Sequence, residues 1–259
     1  MDYGTIKGLE LLGHNAWVAE EKMRLGGWLF RADHGVTRRA NSVLPLDSPN
    51  LPLPIAIDSA IEFFSCRELI PRFQMTEVSQ PSDLDSELEQ RGFSIGLQVD
   101  VWTARLSLLL AAQSPLETIL QTQVTADWID TYNLSSSHDP STMNIRLAIM
   151  ERTRLSKMYA EAVVDGVVAA IGFGVVESPW LGIFNIATHP DMRNRGAATA
   201  VNIALGNWAW KLGAEFAYLQ VEAKNKPAKD LYTKLGFKHA YRYWYRDLNN
   251  AKEKESRSR

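Results

Sequence analysis

Apolar and polar positions change their spacing several times along this chain, and each change marks an element. Leu181 to Thr188 is a mostly apolar run that reads as a buried strand, broken by His189-Pro190. Beyond the turn Arg193-Asn194-Arg195-Gly196-Ala197-Ala198, the residues Val201, Leu205, Trp208 and Leu212 recur at helical spacing, which predicts a long helix with a core-facing stripe. A strand follows over Phe216 to Glu222. Asn225 then starts a second helix that closes in Leu231-Tyr232-Thr233-Lys234-Leu235-Gly236-Phe237. Just upstream, Asp165-Gly166 separates Met158 to Val164 from Val167 to Val176, a strong hairpin signal. Lys238 to Tyr245 mixes basic or small residues with aromatics and reads as a closing strand.

The first half carries weaker periodicity. It predicts a helix around Leu9 to Lys22 and strands over Gly27 to Ala32 and Arg38 to Leu44, separated by the turn Asp33-His34-Gly35. Four prolines between Leu44 and Pro54 make that stretch a loop. Then come a helix over Ile55 to Arg67, a strand near Phe73, a helix from Asp83 to Gln90, and extended chain from Phe93 to about Leu109. Gln113-Ser114-Pro115 is the best boundary. After it the pattern predicts an extended run over Thr118 to Gln123 and helices at Ala126 to Tyr132 and Ser141 to Glu151. Asn249 to Arg259 is polar and charged and is expected to be a disordered tail. Leu84 to Phe93 and Ala228 to Phe237 line up as a faint repeat, each a helix ended by Gly-Phe and followed by an aromatic-bearing strand. The expectation is therefore an α/β chain with a mixed, α+β-type sheet in two lobes. Residues 1–112 form the first lobe and residues 116–248 the second, with residues 249–259 as the tail.

Composition narrows the class. The chain has 259 residues, 46% of them hydrophobic and 22% charged, with a net charge of -2. That balance is ordinary for a globular protein and offers no general pull toward nucleic acid. No apolar run has membrane-spanning length, and Met1-Asp2-Tyr3-Gly4 lacks the basic flank and apolar core of a leader. The one cysteine, Cys66, excludes an internal disulfide and is expected to be a small buried hydrophobe. A cytoplasmic location is the simplest reading.

The chemistry concentrates in the second half. A strand feeding a Gly-containing turn at a helix start is a device for holding phosphate, because free backbone N–H groups and the helix dipole converge there. Arg193 and Arg195 would add charge, and Gly196 to Ala198 keep side-chain bulk away. A tyrosine on the next helix, Tyr232, is protonated at neutral pH and is a candidate proton donor; it could equally pack beside Phe237. Asn225 suits a helix cap as well as a ligand contact. The five histidines, His14, His34, His138, His189 and His239, show no metal-ligand spacing, so no metal is expected. Thr37 to Ser42 is unusually polar for a strand and could face an acceptor or simply solvent.

Arg193-x-x-Gly196-x-Ala198 followed by Asn225-x-x-Ala228-x-x-x-Tyr232-x-x-x-Gly236-Phe237, with helix and strand between, resembles the GNAT superfamily of N-acetyltransferases. The resemblance covers roughly Ser156 to Arg246. It implies acetyl-coenzyme A as acyl donor and an amine as acceptor. Its pyrophosphate would sit on Arg193, Asn194, Arg195, Gly196, Ala197 and Ala198. The backbone of Ile186, Ala187 and Thr188 would pair with the pantetheine arm, and Asn225 and Ala228 would lie beside it. The resemblance makes Tyr232 the acid for the leaving thiolate. Glu222 is the first choice of base, with Glu177 or a water chain as alternatives. The first lobe would be a degenerate copy without the basic turn, with Leu88 where the second has Tyr232. The alternative is a non-catalytic acyl-coenzyme A-binding or regulatory protein. Oligomeric state and the identity of the amine stay open.

Overall fold

The computed structural model describes residues 2–135 and 139–248, so the readings of His138 and of the Asn249 to Arg259 tail fall outside the described residues. In chain order the elements are α1 (Tyr3–Ala16), β1 (Glu21–Leu25), β2 (Trp28–Ala32), β3 (Ser42–Pro45), α2 (Leu53–Ser65), β4 (Arg72–Met75), α3 (Leu84–Gln90), β5 (Ser94–Arg105), α4 (Leu106–Leu110), β6 (Glu117–Gln121), α5 (Ala126–Ser135), α6 (Met143–Glu151), β7 (Ser156–Val164), β8 (Val167–Glu177), β9 (Trp180–Thr188), α7 (Ala197–Lys211), β10 (Phe216–Glu222), α8 (Lys226–Lys234) and β11 (Lys238–Asp247). The fold is mixed α/β, as the sequence predicts. Among the described residues no helix is long and apolar enough to cross a membrane.

Two compact units emerge. The first takes the chain up to Val99, Asn144–Arg152 and the chain from Arg242; the second takes Asp100–Met143 and Thr153–Tyr241. The cuts pass through β5 and β11, and Gln113 to Pro115 lies inside the second unit.

In the first unit the strands run in the order β1-β2-β3-β4-β11-β5. β1, β2 and β3 pair antiparallel, and β3 pairs parallel with β4 around α2. Ala56, Ile57, Ala60, Phe63 and Phe64 form the buried stripe of α2. The core is aromatic. Phe73 meets Trp28 at 5.4 Å and Phe93 at 5.6 Å, both edge-on, and Phe30 meets Phe63 at 5.2 Å. Burying each such ring contributes roughly 1.5–3 kcal/mol.

Several N-terminal expectations change here. The first helix starts at Tyr3, because Asp2 caps it by accepting from the Thr5 amide at 2.9 Å. It stops at Ala16, and Glu21 to Leu25 becomes an exposed edge strand whose mixed pattern hid it. Arg38 to Ala40 is loop rather than strand. The Asn41 side chain organises that loop, accepting from the Asp33 and Gly35 amides and donating to the Val36 and Thr37 carbonyls. Arg38 there pairs with Asp247. The extended run ends at Arg105, and Leu106 to Leu110 turns helical. Cys66 is exposed, not buried, because α2 ends at Ser65 and leaves Cys66 as its cap residue.

In the second unit the order is β11-β5-β10-β9-β8-β7-β6. β6 to β9 pair antiparallel, and β9 pairs parallel with β10 around α7. The Asp165-Gly166 hairpin forms as its sequence requires. The two faces of β8 have opposite character. Ala170, Gly172 and Gly174 let α7 lie close: a Cβ on Gly172 would come within 2.6 Å of Val201 Cγ1, and one on Gly174 within 2.9 Å of Leu205 Cδ2. Phe173 faces the other way, into an aromatic layer. Trp128 and Tyr132 of α5 stack at 5.4 Å, Trp128 meets Tyr159 at 5.6 Å, and Tyr159 meets Phe173 at 5.0 Å. Along α7, Val201 and Leu205 are buried and Trp208 packs at the margin. Leu212 departs from the expected stripe: it lies past the last turn and is 45% exposed.

Candidate active site

The parallel pair β9 and β10 separates part-way along its length. Trp180 to Ile183 pair with Phe216 to Leu219, and beyond Ile183 no rung joins the two strands. β9 nevertheless continues to Thr188 along β8, where Ala187 faces Ile171 and Thr188 faces Ala170. A register shift between Ile171 and Phe173 and a positive φ of 52° at Asn185 mark a bulge at the point of separation. Bulges re-aim a strand and end its pairing. Leu181 to Phe184 are buried, whereas Asn185 to Thr188 are half-buried. The structure thus leaves the backbone of Ile186, Ala187 and Thr188 without a strand on the β10 side. The Ile186 side chain reaches the α7 side of the sheet, against the Gly172 position.

The carboxyl ends of β9 and β10 both lead into helix starts. His189 caps a short 3-10 turn, Pro190–Met192, its Nδ1 accepting from the Asp191 amide at 3.2 Å. Arg193, Asn194 and Arg195 follow, all exposed, and Gly196 forms the N-cap of α7 with φ 82°. Only glycine takes that conformation cheaply. No side chain caps α7, and a Cβ on Gly196 would meet nothing within 4 Å. The first amides of α7, from Ala197 and Ala198, therefore point from an open, uncapped helix end, the arrangement that binds anions. Arg195 pairs with Asp165 at 2.8 Å, an exposed contact that holds it weakly, and Arg193 has no ion pair among the described residues.

α8 starts differently. Asn225 caps it, Oδ1 accepting from the Ala228 amide at 3.1 Å. One turn on, Tyr232 is buried, edge-on to Phe237 at 5.8 Å. Its hydroxyl makes no hydrogen bond among the described residues. Burial pushes the phenol well above its ordinary range, so it stays protonated. Glu222 is exposed at the end of β10, on the side where the strands separate. Glu177 is not brought to this end. It pairs with Trp180 at the opposite end of β8 and β9, about 26 Å of strand from Thr188.

The structure also pairs charged residues to which the sequence assigned no role. Lys229 of α8 pairs with the buried Asp100 and donates to the Ala223 carbonyl at 2.5 Å, and His239 Nε2 lies 3.4 Å from Asp100. In the first unit His34, Glu20 and Asp33 gather within 4.8 Å. Arg152 binds Asp33 and His34 meets Glu20 at 2.7 Å, so these acids already have partners.

The sequence and the fold that carry this arrangement are both similar to those of known proteins. Residues 4–246 match the family described as "Probable histone acetyltransferase Rv0428c C-terminal". The chain belongs to this GNAT-type N-acetyltransferase family. It is 28% identical over 244 residues to the uncharacterized N-acetyltransferase YobR of Bacillus subtilis, covering 93% of this chain and 98% of that one. It is 34% identical over 89 residues to the probable histone acetyltransferase Rv0428c of Mycobacterium tuberculosis, covering 34% and 29%. Among solved structures, a GCN5-related N-acetyltransferase from Kribbella flavida superposes with TM-score 0.70 at 13% identity over 96% of this chain and 97% of its own. A tandem GNAT protein from the clavulanic acid biosynthesis pathway gives TM-score 0.59 at 12% identity over 76% and 70%. These two establish the fold. The GNAT family places the chain among acetyltransferases.

Proposed function

We propose that the protein moves an acetyl group from acetyl-coenzyme A to a primary amine by direct attack, in the cytoplasm, and that the second lobe carries the chemistry. The observation behind this reading is the separation of β9 from β10 above the uncapped start of α7. The donor would lay its pyrophosphate on the amides of Gly196, Ala197 and Ala198, with Arg193, Asn194 and Arg195 around it. Its pantetheine amides would take the free edge of Ile186, Ala187 and Thr188, as an added strand does. Asn225 and Ala228 would border it. The donor supplies the thioester. The amine nitrogen bonds to the acetyl carbon, the carbon–sulfur bond breaks, and the proton on nitrogen leaves.

Tyr232 serves as the hydrogen-bond donor to the departing sulfur. Because burial disfavours its phenolate, the hydroxyl stabilises charge on sulfur and is an unwilling donor of the whole proton. Glu222 is our choice of base for the amine, on its place at the end of β10, with a water relay as the other route; Glu177 is too far along the sheet. The two-lobe reading, with a degenerate first lobe, belongs to the same proposal. Calorimetry with coenzyme A, followed by acetylation of a broad amine panel, tests it. Tight binding with no transfer to any amine would leave a binding protein.

A further inference from the structure

The mechanism above leaves the buried carboxylates Glu10, Asp33, Asp100, Glu161 and Asp247 unused. Glu161 lies in the middle of β7, 4% exposed. Its described partner is a neutral one, the Thr125 hydroxyl, which donates to Oε1. Among the described residues no cation pairs with it. A carboxylate taken out of water with one neutral hydrogen bond is costly unless a positive charge completes it. The residue keeps 4% of its surface exposed, and no hydrogen bond among the described residues reaches its second oxygen.

Its position in the sheet ties it to the candidate site. Glu161 faces Ile171 on β8, and Ile171 faces Ala187 on β9. Residues directly opposite in a ladder point to the same face. Glu161 and Ala187 therefore share one transverse row and one face, two strand spacings or roughly 10 Å apart. That face is turned away from α7, since the neighbouring Gly172 is the residue that packs on Val201. It carries the aromatic layer. Tyr159 is two residues before Glu161 on the same face, and Phe173, Phe184 and Tyr218 extend the layer across to β10. Aromatic faces beside a carboxylate suit a cation.

We infer that Glu161 is a subsite for a second positive charge on the acceptor, so that the preferred acceptor is a primary amine carrying another cationic group. An alkyl diamine and a lysine-rich peptide both present that chemistry. The inference rests on the transferase reading for what happens at the first amine, but not for the binding of the second. Glu161 also steadies α5, because Thr125 accepts from the Trp128 amide at 3.0 Å while donating to the carboxylate. The two roles separate experimentally. Glu161→Gln keeps an oxygen for Thr125 and removes the charge. Thr125→Val removes the cap and keeps the charge.

The experiment titrates 1,4-diaminobutane and, separately, a lysine-rich peptide into the full chain, with and without coenzyme A. At least one probe should bind the wild type, and whichever binds names the source of the acceptor. Glu161→Gln should weaken it by about 10-fold or more, the worth of one charge-assisted hydrogen bond, while coenzyme A affinity and melting temperature hold. Thr125→Val should lower the melting temperature and retain probe binding. The inference is overturned if neither probe binds the wild type, if Glu161→Gln binds as the wild type does, or if Thr125→Val loses the probe equally. A probe that binds but is never acetylated supports the subsite and removes the transferase reading instead.

Discussion

Two segments of this chain end a helix the same way and then diverge. In the first unit α3 closes with the Phe93 amide donating to the Leu88 carbonyl at 2.9 Å and the Gly92 amide to the Glu89 carbonyl at 3.0 Å. In the second, α8 closes with Phe237 donating to Tyr232 at 3.0 Å and Gly236 to Thr233 at 3.1 Å. Gly92 and Gly236 have φ of 86° and 85°. Each cap leads into a long strand, β5 or β11. The order of strands repeats too: an antiparallel hairpin, a third antiparallel strand, a helix, and a parallel fourth strand in both units.

The difference lies at the start of the helix between the parallel strands. α2 has Pro52 as its N-cap residue and Pro54 in its first turn, and proline has no N–H to offer an anion. The loop before it is tied down, Tyr3 donating to the Leu46 carbonyl at 2.7 Å and Lys7 pairing with Asp47 at 2.6 Å. α7 begins at Gly196 with Ala197 and Ala198, open and uncapped. Leu88 in turn stands where the other segment has Tyr232. Equal topology thus meets unequal helix starts, and a few residues make the difference.

The comparison breaks most sharply at Gly196. Gly196→Glu should weaken coenzyme A binding by about 100-fold or more, by placing negative charge at the open helix end; the left-handed backbone should cost about 1–2 kcal/mol besides. Calorimetry on the folded variant decides it, and unchanged affinity would remove the turn from the site. Next is the tyrosine that has no counterpart in α3. Tyr232→Phe keeps the ring and should lower turnover by roughly 100-fold with little change in coenzyme A affinity. Equal turnover, with chemistry shown to limit the rate, would make Tyr232 a packing residue.

Smaller effects sharpen the shared cap. Gly92→Ala and Gly236→Ala each force a left-handed alanine, at about 1–2 kcal/mol. A Cβ at Gly236 also comes within 2.9 Å of Leu108 Cβ, whereas one at Gly92 meets nothing within 4 Å. Urea unfolding should therefore show the larger loss at Gly236. A reversed order would mean that the two caps are not equivalent. Last, Asn225→Ala should cost about 1 kcal/mol through its lost cap. Asp83→Ala should cost less in the same assay, because Asp83 makes no side-chain cap bond.

Much of the second unit was legible because its signals are local. Phe216 to Glu222 is a strand at the bounds its apolar run marks, Asp165-Gly166 makes its hairpin, and Asn225 caps α8. Turn chemistry and hydrophobic period act within a few residues, so one sequence suffices to read them. β1 escaped notice because an exposed edge strand needs no apolar alternation, and Cys66 because one residue past a helix end decides its exposure.

By itself, then, the amino-acid sequence determined the period of the elements, the caps, the glycine turn and the tyrosine that follows it. Only the tertiary structure decided that β9 leaves β10 after Ile183, that Glu177 lies at the wrong end of the sheet, and that Glu161 shares a row with Ala187. Those are matters of register between strands distant in the chain. Register is set by pairing and by what covers each face, so no local run of residues contains it.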